Sequence, residues 1–153
     1  MNKIYCLLFF IVLAGFSACN LNTVADSTQS VPGNNWLYNN PAKTQFEISD
    51  TLKTYAVKFN LRHTVDYRYS NLFVLLVVRG KDVNKKIRYE LKLATQTGEW
   101  LGKGSGDIYS KEFTLLKDLS FKHQGTYTIT IEQNMRDNPL IGISDVGLQV
   151  VKN

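Results

Sequence analysis

The chain has 153 residues, a formal net charge of +5, 44% hydrophobic residues, 12% aromatics and two cysteines. That length corresponds to one folding unit, and the supply of Phe, Tyr, Ile, Val and Leu excludes a disordered chain. It also excludes a large multi-domain enzyme, and two cysteines exclude a disulfide-rich miniature.

Residues 1–18 open with one cation, Lys3, followed by an almost unbroken apolar run from Ile4 to Phe16. The run has the length of a signal-peptide core and falls short of the roughly 20 residues that a membrane-spanning helix needs. It ends in Phe16-Ser17-Ala18-Cys19, two small residues before a cysteine. This ending resembles the bacterial lipobox, in which cleavage falls between Ala18 and Cys19 and the cysteine thiol receives diacylglyceryl, with palmitate a typical acyl chain. Phe16 stands where that motif usually carries Leu. The alternative reading is an ordinary secretory signal cleaved near Ala18, with Cys19 left as a free thiol. On the lipobox reading Cys6 leaves with the leader, and loss of Lys3 takes the charge from +5 to +4. Several acyl chains on one residue anchor stably where a single chain is marginal. No second stretch is long and apolar enough to span a bilayer, so the protein is expected on a membrane and not across it.

Residues 19–35 are rich in Asn, Ser, Thr, Asp and Gln, with one Pro and one Gly. Such a composition predicts a flexible tether. The tether has no acidic run of the kind some bacteria use after the cysteine as a surface-export tag, which favours the periplasmic face. Asp26-Ser27-Thr28 and Asp50-Thr51-Leu52 resemble a short O-glycosylation motif, although three residues carry little weight.

Residues 36–153 read as strands. Phe46 and Ile48 alternate with polar neighbours, as do Tyr55, Val57, Phe59 and Leu61, then Ile87, Tyr89, Leu91 and Leu93, then Tyr127, Ile129 and Ile131, and finally Leu148 and Val150. A period of two puts one face in a core and the other in water. Leu72–Val78 is apolar on both faces, as a central strand would be. Turn residues separate the runs at Ser49-Asp50, Gly80-Lys81-Asp82, Thr97-Gly98, Gly104-Ser105-Gly106, Gln124-Gly125 and Asp137-Asn138-Pro139. Seven to nine short strands predict an all-β antiparallel β-sandwich of jelly-roll or immunoglobulin-like type. Lys111–Leu119 is a weak helix candidate that fits a strand equally well.

Little in the chain points to chemistry. His63 and His123 lack the closely spaced company of a metal site, and no Gly-x-Ser-x-Gly elbow favours one serine as a nucleophile. Asp107, Glu112, Glu132 and Asp145 supply carboxylates, but their spacing singles out no catalytic pair. Gly102-Lys103-Gly104-Ser105-Gly106 lacks the spacing and the following helix of a phosphate-binding loop, so its glycines are assigned to a tight turn. Trp100 beside it is either a sugar-stacking platform or a plug closing one end of the sandwich. Lys81, Lys85, Lys86 and Arg88 form the densest basic patch. In an exported protein it would meet anionic lipid headgroups rather than nucleic acid, or simply keep a sheet edge soluble.

Several segments read together carry a resemblance: Trp36 ahead of Phe46-Glu47-Ile48-Ser49-Asp50, then Leu61-Arg62-His63 with Tyr67, Tyr69 and Asn71, then Gly98-Glu99-Trp100-Leu101-Gly102. Ile131-Glu132-Gln133-Asn134-Met135-Arg136 and Gly142-Ile143-Ser144-Asp145-Val146-Gly147 close the set. In this order, behind a lipobox, they resemble the GldH gliding-motility lipoprotein family from about Trp36 to Val150. The resemblance implies a small lipoprotein of the cell envelope, required for surface gliding and linked to the machinery that exports adhesins. Such proteins also occur in bacteria that do not glide. No catalytic residues are recognised in that family, so only Cys19 carries over as a functional position.

These readings converge on a non-enzymatic lipoprotein held to the outer membrane through Cys19, on the periplasmic side, that meets other gliding or secretion-machinery proteins. Neither a cofactor nor a metal is expected, and no nucleic acid; a carbohydrate- or glycolipid-binding module is the alternative. The residues expected to form an interaction surface are Arg62, Trp100, Asp107, Arg136 and Asp145, with Arg62 and Arg136 expected to pair with Asp50, Asp107 or Asp145 at a sheet end.

Overall fold

A computed structural model describes residues 22–153. The expected leader, its cleavage point at Ala18 and the anchor at Cys19 lie outside the described residues. Eleven strands follow in chain order: β1 (Thr23–Ser30), β2 (Asn35–Trp36), β3 (Ala42–Ile48), β4 (Tyr55–Thr64), β5 (Asn71–Arg79), β6 (Asn84–Lys92), β7 (Lys103–Ser105), β8 (Ile108–Leu119), β9 (Gly125–Gln133), β10 (Leu140–Ile141) and β11 (Ile143–Lys152). A single 3-10 turn, Pro32–Asn34, stands between β1 and β2.

All pairings between these strands are antiparallel. One sheet has the order β1-β11-β4-β8-β7, the other β3-β9-β5-β6, and β2 with β10 forms a small ribbon. The eight long strands cross between the two sheets, apart from the β5–β6 hairpin, in the connectivity of a jelly roll. Of the two sandwich types expected, this is the one adopted.

Alternation decides which side chains enter the core. Val57, Phe59 and Leu61 of β4 stand beside Val150, Leu148 and Val146 of β11. The facing sheet contributes Phe46 and Ile48 of β3, Tyr127, Ile129 and Ile131 of β9, and Leu72, Val74 and Leu76 of β5, all buried. The doubly apolar β5 lies inside its sheet, between β9 and β6, as its sequence requires. Its outward side is covered as well: the Arg88 guanidinium lies 3.9 Å from the centre of the Phe73 ring, and Val77 is only 7% exposed. The weak helix candidate Lys111–Leu119 belongs to β8, whose register with β4 shifts near Val57.

The expected tether is a correction. Thr23–Ser30 forms β1 and pairs along β11, from Thr23 opposite Val151 to Ser30 opposite Asp145, with a register shift between Thr23 and Ala25 and continuous register from there on. The composition misled because β1 is an edge strand. The backbone of β11 satisfies it on one side, and its inward positions Ala25, Ser27 and Gln29 are only partly buried, so small and polar residues suffice there. The fold then continues without a gap: Val31 is buried, and Trp36 is fully buried, donating from Nε1 to the Asn40 carbonyl and stacking at 6.3 Å on Phe59.

The connectivity gives the sandwich two distinct ends. At the entry end Asn22 lies against the end of β11, its carbonyl accepting Lys152 N–H, and Asn153 N–H reaches the Thr54 carbonyl. The β3–β4, β5–β6 and β8–β9 turns share this end. At the far end lie residues 31–41, the β4–β5 connection, the loop before β7, the β7–β8 turn and the segment from Asn134 to Gly142.

Because Trp36 fills the core from within the segment that composition assigns to the margin of the fold, Trp36→Ala is expected to cost about 3–5 kcal/mol. The midpoint of denaturant unfolding measures this. Deleting residues 22–30 is expected to lower the midpoint and cause association through the bared edge of β11, whereas removal of a true tether would do neither.

Candidate functional site

The five residues expected to form a surface all lie towards the far end, but in four separate places. Arg62, near the end of β4, and Asp145, near the start of β11, are cross-strand partners on the outer side of the five-stranded sheet. Arg62 Nη1 stands 3.2 Å from Asp145 Oδ2. Of the two pairings expected from sequence, that of Arg62 is made, with one of the three named carboxylates, and that of Arg136 is not found among the described residues. Two hydroxyls complete it: Ser30 donates to Oδ1 at 2.8 Å and Ser144 to Oδ2 at 2.6 Å. Burial alone would raise the Asp145 carboxyl, but the bonds from Ser144 and Ser30 and the Arg62 charge outweigh it and hold the group below its ordinary value. Ser30 belongs to β1, so this network also ties the edge strand to the sheet. Sequence reading did not find Ser30, because it lies in the supposed tether.

Trp100 sits in an aromatic cluster at the far end. Its ring meets that of His63 edge-on at 4.5 Å, with Tyr109 at 6.0 Å and Tyr67 at 6.4 Å. The Trp100 and Tyr109 planes are tilted 44° to each other, and Tyr67 is buried. A sugar-stacking platform needs coplanar exposed rings, and these rings instead close the end of the sandwich. His63 is 1% exposed, with Nδ1 at 3.0 Å from the Thr64 carbonyl oxygen. Burial pushes its imidazole below the ordinary value despite that bond, so it is neutral at pH 7. Tyr69 extends the cluster outward and donates to Asp137 Oδ2 at 2.5 Å.

Asp107 occupies the two-residue turn between β7 and β8 with its side chain exposed; Gly106 beside it takes φ +60, as a tight hairpin turn requires. Arg136 lies beyond β9, on the rim of a depression lined by Tyr69, Phe73, Arg88 and Met135. Neither Asp107 nor Arg136 makes an ion pair among the described residues. Asp50 is at the entry end, where Oδ1 caps Leu52 N–H. Asp107, Glu132 and Asp145 stand on a turn and on the outer sides of two different sheets, so they do not converge as a catalytic set would. Among the described residues no group of three His, Cys, Asp or Glu side chains is placed to hold a metal ion.

The structure adds residues that sequence reading missed. Leu37, Tyr38, Val65 and Ile141 are large hydrophobics left exposed, all at the far end. Their backbones are fixed: Tyr38 N–H donates to Asn138 Oδ1 and its hydroxyl to the Met135 carbonyl, and Ile141 pairs with Asn35. Gly142 makes this arrangement possible. It has φ +88, and a Cβ there would lie 2.6 Å from Tyr67 N. The only signal in the chain was isolated apolar residues in loop sequence, which carry no period.

Two acid-linked losses of stability follow. His63 is neutral in the fold, so as pH falls below about 6.5 the unfolded chain takes the proton first and stability declines. Asp145 prefers to stay ionised, so its contribution is intact above about 3.8 and is lost as pH falls through its lower folded value. Asp145→Asn is expected to cost about 1–3 kcal/mol at pH 7 and to shrink the second decline, to which Asp82, held low by the Tyr127 hydroxyl, also contributes, while leaving the first. Urea unfolding from pH 7 to pH 3 measures both.

Comparison with known proteins covers nearly the whole of the described chain. The family model described as GldH lipoprotein matches residues 23–150, beginning at the first residue of β1. The chain is 31% identical to the gliding motility lipoprotein GldH homolog of Christiangramia forsetii, covering 99% of this chain and 96% of the relative. It is 28% identical to the gliding motility lipoprotein GldH of Flavobacterium johnsoniae, covering 87% of each. Among solved structures, the exo-beta-1,3-galactanase of Phanerochaete chrysosporium with galactose matches at a TM-score of 0.36 and 10% identity, over 83% of this chain and 26% of that one, a likeness too slight to argue from. Matched from the start of β1 to Val150 in β11, the chain belongs to the GldH lipoprotein family.

Proposed function

We propose that this protein is a lipid-anchored component of the apparatus for gliding motility, acting by contact with other envelope proteins and not by catalysis. Its relatives carry the names of gliding motility lipoproteins. The lipid is placed on Cys19 after cleavage behind Ala18, and the protein is assigned to the periplasmic face of the outer membrane. The observation that carries the contact role is the far end of the sandwich. Four of the five large exposed hydrophobics among the described residues, Leu37, Tyr38, Val65 and Ile141, are there, with charged residues close by: Asp66 follows Val65, the Asp107 carbonyl accepts Val65 N–H, and Arg136 follows Met135, whose carbonyl accepts the Tyr38 hydroxyl. An apolar centre with a polar rim is the composition of a protein-docking surface. It stands at the opposite end of β1 from Asn22, the side facing away from an anchor on Cys19. The partner assigned to it is a protein of the gliding or adhesin-secretion machinery.

Two variants separate anchoring from docking. Cys19→Ala is expected to release the domain from the membrane fraction. The double variant Val65→Asp, Ile141→Asp is expected to remain on the membrane, to unfold within about 0.5 kcal/mol of the parent, and to abolish gliding or adhesin display. Pull-down from detergent-solubilised envelopes is expected to lose its partner in the same variant. Full motility in the double variant counts against the far end as the working surface.

A further inference from the structure

The conversion of the supposed tether into β1 sets how the domain stands on its membrane. Asn22 is already fixed at the entry end, by Lys152 N–H on its carbonyl. Only three residue steps separate it from Cys19, and three residues span at most about 10 Å. The eight residues of β1 run about 25 Å toward the far end. An anchor on Cys19 therefore holds the entry end within about 10 Å of the headgroups, about one Debye length at 0.1 M ionic strength, and with the strands upright the far end stands about 25 Å further out.

The chemistry of the entry end suits that position. Leu52, at the tip of the β3–β4 turn, is 95% exposed, far more than any other large hydrophobic among the described residues. Asp50 Oδ1 accepts Leu52 N–H at 3.0 Å, a bond that shapes the turn and projects the side chain outward. Each of the three turns carries a lysine: Lys53, Lys81 and Lys122. The acids of these turns are engaged internally. Asp50 holds Leu52, while Asp82 accepts Lys122 N–H at 2.6 Å and the Tyr127 hydroxyl. Counting side chains in the turns and the last two residues of each long strand, the entry end has six cations (Arg79 and five lysines) against four carboxylates. The same count at the far end, with its intervening loops, gives five of each.

We infer that the entry end is seated on the membrane surface, with Leu52 inserted at headgroup level and Lys53, Lys81 and Lys122 on anionic headgroups. This inference rests on the lipid anchor at Cys19 proposed above. The seat makes the orientation definite: the strands rise from the bilayer and present Leu37, Tyr38, Val65 and Ile141 on the side facing away from it. An apolar side chain sharing one end of the sandwich with these cations adds to a lipid anchor as a second signal does for other peripheral proteins.

Lipidated full-length protein is reconstituted into vesicles of phosphatidylethanolamine and phosphatidylglycerol containing a headgroup spin-labelled lipid. A single environment-sensitive dye is placed at Leu52→Cys or at Ile141→Cys; with Cys6 in the leader and Cys19 lipidated, each variant has one free thiol. The dye at position 52 is expected to be quenched several-fold more strongly than at 141. Lys53→Glu, Lys81→Glu and Lys122→Glu together are expected to reduce the quenching at 52 with flotation unchanged, as is replacement of the lipids by phosphatidylcholine. Protein that floats with its vesicles yet is quenched equally at both positions, or more at 141, overturns the seat and leaves the anchor intact. Protein that fails to float overturns the anchor on Cys19 and the seat with it.

Discussion

The pairing of β11 with both β1 and β4 is the constraint from which the rest of the structure follows. It joins the first described strand to the last, so that residues 23–30 lie beside residues 145–151. On its other side β11 supplies the apolar partners of β4, with Leu148 against Phe59 and Val150 against Val57. A central strand of this kind closes the sandwich only after the whole chain has been laid down. Few of its contacts are local, and its loop-closure cost is met by a continuous buried face.

That pairing also polarises the molecule. With β1 fixed along β11, the chain enters at one end, and the loops carrying the aromatic cluster, the ribbon of β2 with β10 and the exposed hydrophobics gather at the other. The Arg62–Asp145 pair stands near that far end and is tied to β1 through Ser30. Its position beside the junction of β1, β11 and β4 makes it a fastening of the sheet before it is anything else. Arg62 is half-exposed, which keeps the ion pair itself modest; the two hydroxyl bonds to a nearly buried carboxylate contribute the larger part.

Much of the fold was legible because buried strands declare themselves. β4, β9 and β5 each bury one face or both, and a period of two, or an unbroken apolar run, is the direct consequence. The jelly-roll order was not legible, because alternation records which face is buried and not which strand lies alongside. Of the expected site residues, Arg62 and Asp145 were brought together while Trp100, Asp107 and Arg136 were dispersed around one end. Trp100 illustrates the limit: a tryptophan beside a glycine-rich turn has the same sequence whether it offers a face to a sugar or packs edge-on against His63.

By itself the sequence determined the apolar run of residues 4–16 with its small-small-Cys ending, the strand period of the domain and the family resemblance, since each is written in consecutive or alternating residues. Tertiary structure alone decided that Thr23–Ser30 is a strand, because an edge strand is held by its neighbour's backbone and needs no apolar pattern of its own. The same pairing placed Leu52 and Leu37 at opposite ends, a separation set by how β1 runs along β11, which neighbouring residues in the sequence do not record.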